Sequence, residues 1–129
     1  MSARKRIDPG WTWDDDFNMS QAIEIGNTIY VSGQVSMDSA GNVVGPGDMQ
    51  VQTRQALENI KTVLESAGSS MADVVKITVF MTDISLLRDT HQVRAEFFPD
   101  PPPASTGIEI SALAFPGLLI EIEAIAVKS

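Results

Sequence analysis

The sequence predicts an α+β domain in which a mixed sheet is covered by helices on one face, and three observations carry that expectation. A long stretch with helical periodicity and a second shorter one are interleaved with β-branched runs. The run Asp73 to Met81 alternates apolar and polar side chains. The C-terminal quarter, Pro103 to Val127, holds two strand-like runs, Thr106 to Ser111 and Leu118 to Val127. In the last run Ile120, Ile122, Ala124 and Ala126 share one face and Glu121 and Glu123 the other. A carboxylate pair inside an otherwise core-like strand means that its face meets water or a partner, or that one glutamate does chemistry.

The elements follow in order. Gln21 to Ile25 and Thr28 to Ser32 read as strands joined at Gly26-Asn27, a hairpin signal. Asp38 to Asp48 is rich in Gly, Asp and Pro around Val43-Val44, which suits a turn about a very short strand. From Met49 onward Thr53, Ala56, Leu57, Ile60, Val63, Leu64 and Ala67 recur at helical spacing, with Asp48 as N-cap and Gly68 as terminator. In the central strand Val75, Ile77, Val79 and Met81 are expected on one face and Lys76 and Thr78 on the other, Lys76 placed to pair with Glu123. Asp83 or Ser85 can cap a second helix running to about Phe98, with Leu86, Val93 and Phe97 turned inward. Pro99 to Pro103 then stops it. The sheet face carrying Lys76, Glu109, Glu121 and Glu123 is too mixed for a lone core, which suggests an oligomer.

Composition bounds the function. The 129 residues, 43% hydrophobic, suit a single domain spanning 1–129. Seventeen acidic against nine basic residues give a net charge of -8, which disfavours nucleic acid and anionic membranes as partners. The cluster Arg4 to Arg6 reads as a frayed tail. The absence of cysteine excludes disulfides, thiolate metal sites and cysteine nucleophiles. Without an apolar leader or a transmembrane-length run, the expectation is a soluble, cytoplasmic protein. Phosphate-binding glycine loops, zinc spacings and a hydrolase triad order are missing, and one histidine cannot make a histidine-rich metal site.

Gly26-Asn27, Val31-Ser32-Gly33-Gln34, Gln52 to Asn59, Ala67-Gly68, Asp73 to Asp83, Phe97-Phe98, Pro103-Ala104 and Ile120 to Ala126 together resemble the Rid family, also called YjgF. The resemblance runs from about Gln21 to Val127. It implies a chorismate-mutase-like protomer and a homotrimer with small-molecule clefts between subunits, working without metal or organic cofactor. In the deaminase branch of that family the cleft hydrolyses enamines and imines, such as 2-aminoacrylate, to a 2-oxo acid and ammonia. An arginine after the Pro-Ala pair grips the substrate carboxylate, a cysteine two residues later lines the cleft, and the first glutamate of the final strand handles water.

This sequence keeps Glu121 and Ser32 but puts Ser105 at the arginine position and Gly107 at the cysteine position, flanking Thr106. The family's tyrosine corresponds to Met19, with Phe17 two residues away, and an asparagine of the second helix to His91. A bidentate guanidinium–carboxylate pair contributes roughly 1.5 to 3 kcal/mol. A serine cannot replace its charge and fork, so binding of a small anionic imino acid should weaken unless Arg94 or Arg88 reaches in.

Each candidate has a plainer alternative. Glu121 is a general base or a backbone-capping glutamate at a subunit interface; His91 is an acid–base group or a surface histidine; Ser32 holds ligand or packs a strand end. Trp11, Trp13 and Phe17 form a lid, or pack the N-terminal segment 1–19 on or near the cleft. The Asp14 to Asp16 run reads as a solvated turn. Three functions compete: C–N hydrolysis with Glu121 activating water and Ser32, Ser105, Thr106 or backbone amides orienting substrate, a non-catalytic ligand-binding trimer, and a ribonuclease, which the charge disfavours.

Overall fold

A computed structural model describes residues 3–11, 14 and 16–129; the expectations placed on Trp13 and Asp15 lie outside them. The element order is β1 (Lys5–Ile7), β2 (Ala22–Ile25), β3 (Thr28–Val35), α1 (Met49–Ser66), β4 (Val74–Met81), α2 (Leu87–Phe97), β5 (Ala104–Glu109) and β6 (Ile120–Val127). The strands form one sheet in the order β1-β2-β3-β6-β4-β5. Every pairing is antiparallel except β4 with β5, which is parallel. This is the α+β fold read from the sequence, with one mixed sheet and both helices packed on one of its faces.

The helix-covered face is the core. Ile29, Ile77, Val79, Met81, Ile120, Ile122 and Ala126 are buried beneath Ala56, Leu57, Ile60, Val63 and Leu64 of α1. Helix α1 begins as expected, the Asp48 carboxylate accepting from Val51 N–H at 3.1 Å, and Gly68 follows its end at φ +75°. Gln52, fully buried, ties the helix to two loops. Its amide donates to the carbonyls of Gly45 and Gly117 at 3.0 and 2.7 Å and accepts from Leu119 N–H at 2.8 Å. In α2 the inward residues are Val93 and Thr90, with Leu86, Leu87 and Phe97 partly buried beside them. Asp83 caps not α2 itself but a 3₁₀ turn, Ile84–Leu86, that precedes it.

Several expectations are corrected. Lys5 and Arg6 are not a frayed tail: they belong to β1, registered on Glu24 and Ile23 of β2. An edge strand needs only backbone pairing, so charged side chains there do not betray it. Strand β5 starts two residues earlier than expected and ends at Glu109. In β4 a bulge between Val74 and Lys76 turns Val74 inward and leaves Val75 exposed. Lys76 donates to Ile77 O at 2.9 Å and to Thr106 Oγ1 at 3.2 Å, and forms no ion pair with Glu123. Glu123 sits opposite Thr78, two pairs along the ladder from Lys76.

Candidate functional site

Strand β6 delivers Glu121 to the uncovered sheet face, between Val35 of β3 and Phe80 of β4. Its surroundings depend on a bulge in β3, where Val31 faces Ala124 but Gln34 faces Ile122, so that Ser32-Gly33 carries the extra residue. Gly33 leaves room for the Glu121 carboxylate in its present position. A β-carbon on it would stand 2.6 Å from Glu121 Oε2. The carboxylate lines a hollow of about 170 Å³ whose walls include Phe17, Met19, Gln34 and Phe115. The rings of Phe17 and Phe115 meet edge to face with centroids 6.2 Å apart.

Among the described residues no group donates a hydrogen bond to the Glu121 carboxylate. Burial, and secondarily the charge of Glu123, raise its pKa above the ordinary glutamate value. A half-buried carboxylate without a protein donor is free to take a proton from water or from a bound molecule. Behind the hollow runs a buried relay: Gln34 Nε2 donates to Gln21 Oε1 at 2.7 Å and Gln21 Nε2 to Asp14 Oδ1 at 2.5 Å. Asp14 is therefore no solvated turn residue, being 2% exposed with its second oxygen 3.7 Å from Arg6 Nη2. Its carbonyl also accepts from Met19 N–H at 3.2 Å, which fixes the segment bearing Phe17 and Met19.

The remaining candidates divide between two faces. In the parallel β4/β5 register Ser105 and Gly107 lie opposite Ile77 and Val79, on the helix side, whereas Thr106 lies opposite Thr78 on the face of Glu121. Ser105 meets α2: Arg94 Nη2 donates to its Oγ at 2.8 Å. A β-carbon on Gly107 would touch Leu87 at 3.3 Å. Arg94 and His91 line a second hollow of about 370 Å³ under the segment Pro99 to Pro103. Burial draws the Arg94 pKa below the ordinary guanidinium value. Arg88 is exposed and lines neither hollow.

Ser32 takes part in neither. Its hydroxyl donates to Ser20 O at 2.7 Å and its N–H to Gln21 O at 2.9 Å, so it latches the chain entering β2, beside a separate hollow it shares with Arg4, Arg6 and Met19. The structure thus brings Glu121, Phe17 and Met19 together, sets Ser105 against Arg94 and His91 on the second hollow, and leaves Thr106 against Lys76. The sequence reading missed Gly33, Gln34, Phe115 and Asp14. A bulge shifts the first pair, and no periodic signal links the 110–117 loop to Phe17. Among the described residues no group of three or more histidine, aspartate or glutamate side chains could hold a metal, and no helix is long and apolar enough to cross a membrane.

Comparison with known proteins agrees with this architecture. Residues 16–128 match the family described as Endoribonuclease L-PSP. A RutC family protein of Sulfurisphaera tokodaii is 47% identical over 109 residues, 84% of this chain and 86% of its own. A 2-iminobutanoate/2-iminopropanoate deaminase of Dermatophagoides farinae is 36% identical over 108 residues, 84% of each chain. The crystal structure of a YjgF/YER057c/UK114 family member from Mycobacterium tuberculosis superposes with a TM-score of 0.85 at 35% identity, covering 97% of this chain and 99% of its own. The order of strands and helices, the motifs from Val31 to Ala126 and these relatives all lead to one assignment: the chain belongs to the Rid (YjgF) family.

Proposed function

We propose that the protein hydrolyses the C–N bond of a reactive enamine or imine at clefts formed between copies of the chain, with Glu121 as the proton-transfer group and no metal or organic cofactor. The observation that carries this reading is the Glu121 carboxylate itself, half-buried between aromatic walls, raised in pKa and without a protein donor. One imine and one water give one carbonyl compound and one ammonia. Glu121 takes a proton from the water as its oxygen attacks the imine carbon. It passes that proton to nitrogen to give a carbinolamine, then carries the hydroxyl proton to nitrogen as the C–N bond breaks, the carbonyl forms and ammonia leaves. An enamine first gains a proton on carbon to become the imine. A relative named as an iminobutanoate/iminopropanoate deaminase supports the reaction class.

Assembly enters because the two candidate clusters point from opposite faces of one sheet. A homotrimer, with the β5 wall of one copy closing on the Glu121 wall of the next, would join them. Every residue of β5 is exposed, and an uncovered edge strand is a surface that invites a partner. Ile25, Tyr30, Val75 and Ile108 add exposed apolar area. The name endoribonuclease attached to the family model fits this chain poorly, since its net charge of -8 repels phosphate backbones.

The test is ammonia release from enzymatically generated 2-aminoacrylate or 2-iminobutanoate. Glu121→Gln should lower turnover at least about 100-fold while the fold and the assembly size are retained; unchanged turnover in a folded variant sinks the assignment. Ser105 at the arginine position motivates a second reading, a non-catalytic trimer that binds a small ligand. Ligand-induced thermal shifts without ammonia release across the imine panel would establish it.

A further inference from the structure

The buried chain behind the Glu121 hollow has a direction. Gln34 is 4% exposed and registered on Ile122 of the covered face, yet the bulge at Ser32-Gly33 lets it share a wall of the hollow with Glu121. Both amide protons of Gln34 are spent inward, on Gln21 Oε1 at 2.7 Å and on the Ser32 carbonyl at 3.1 Å. Gln21 Oε1 is free to accept because Gln21 Nε2 is turned to Asp14 Oδ1. The sense of the chain is set there, since the Asp14 carboxylate beside Arg6 offers Gln21 lone pairs and no proton. Its far end is consequently an acceptor, Gln34 Oε1. Among the described residues nothing donates to that oxygen, and it is not one of the unpartnered polar atoms sealed from solvent. A nearly buried amide oxygen without a donor is costly unless a bound group supplies one. Asn59, on the same walls, supplies none, because its two protons go to the carbonyls of Val35 and Met37 at 3.0 and 2.9 Å.

We propose that Gln34 is a specificity-determining residue of this hollow: its Oε1 accepts an N–H from the bound molecule, and Asp14, acting through Gln21, is the positioning residue that points it there. In an imine C=N–H the N–H and the nitrogen lone pair lie in one plane and diverge. With the N–H on Gln34, the lone pair is left for the proton that Glu121 delivers. An N-alkyl imine has no such N–H, and a carbonyl product would set its lone pairs against Oε1. The substrate class therefore narrows to imines of ammonia, and the product is not retained. A site built around a buried acceptor rejects an isostere that lacks the donor, because the acceptor is then left unpaired. Giving that N–H to an imine rests on the hydrolytic reading above; recognition of an N–H requires no turnover.

Ligand-observed NMR titration of the full-length protein with indole, benzofuran and 1-methylindole tests it. These probes are neutral and planar, indole and benzofuran share a shape, and indole alone carries an N–H. Wild type should bind indole at least about five-fold more tightly than either of the others. Gln34→Met keeps the length of the side chain without the acceptor. It should lower indole to the level of benzofuran and leave benzofuran within about two-fold, whereas a merely structural role would weaken all probes alike. In Asp14→Asn the amide oxygen turns to Arg6 and the amide nitrogen to Gln21, so the chain reverses, Gln34 Nε2 faces the hollow and preference passes to benzofuran. That variant keeps the test decisive if Gln34→Met is unstable. Equal binding of indole and benzofuran by wild type, a loss in Gln34→Met common to all probes, an indole preference that both variants keep, or no binding of any probe overturns the proposal. Ammonia release by the same preparations separates the two readings. A Gln34-dependent indole preference without turnover sinks hydrolysis and leaves this site standing, and Glu121-dependent turnover without an indole preference does the reverse.

Discussion

Gly33 and Glu121 are in such close contact that a single methyl group separates two outcomes. In Gly33→Ala the new β-carbon meets the far end of a flexible side chain, so the carboxylate swings away while the backbone stays. Stability by urea unfolding should change by no more than about 1 kcal/mol, whereas ammonia release should fall at least about ten-fold because the carboxylate is misplaced. The raised pKa of Glu121 sets the sign of two pH effects. A folded-state pKa above the unfolded one means that the folded protein binds the proton more tightly. The carboxylate therefore costs no stability below the unfolded value and destabilises increasingly as pH rises through the folded one. Glu121→Gln should melt higher than wild type at neutral pH, with the gap narrowing as pH falls and closing below about pH 4.5, and the acid limb of kcat/KM should lie above that pH. At this scale the sequence was partly readable. Glu121 and Phe17 stood out by residue type and by resemblance, but nothing in a linear pattern reveals that Ser32 spends its hydroxyl on Ser20 or that Arg94 ends at Ser105.

Elements were legible where side-chain periodicity and burial coincide, as in α1, whose inward residues recur as expected from Thr53 to Leu64. They were less so where backbone pairing alone decides. Strand β1 is held by the edge of β2, and β5 begins at Ala104 because the parallel register on Lys76 begins there. The bulges in β3 and β4 invert faces locally, which alternation cannot foresee. Helix α1 offers two quantitative checks by chemical denaturation. Asp48→Ala removes the cap on Val51 N–H and should cost about 1 kcal/mol. Gln52→Leu leaves the Leu119 N–H without its partner and takes one of two donors from each of the Gly45 and Gly117 carbonyls, and should cost about 2 kcal/mol. The second effect should also loosen the 110–117 loop that brings Phe115 to the hollow.

For the whole molecule, the exposed apolar residues of the uncovered face make assembly measurable. Tyr30, half-exposed on that face, is the position to charge: Tyr30→Glu should shift the proposed homotrimer toward monomer in light scattering after size exclusion, and ammonia release should fall with it. The opposite facing of Ser105 and Thr106 on adjacent positions of one strand leads further. If each cleft takes Glu121 from one copy and the Arg94–Ser105 pair of α2 and β5 from the next, variants that abolish turnover, Glu121→Gln on one side and Arg94→Gln on the other, damage different donors to a shared site. Two inactive preparations, unfolded and refolded together in equal amounts, should then recover activity. Random reassortment places an intact base against an intact anchor in roughly a quarter of the clefts, so the mixture would regain about that fraction of wild-type turnover, which neither protein reaches alone.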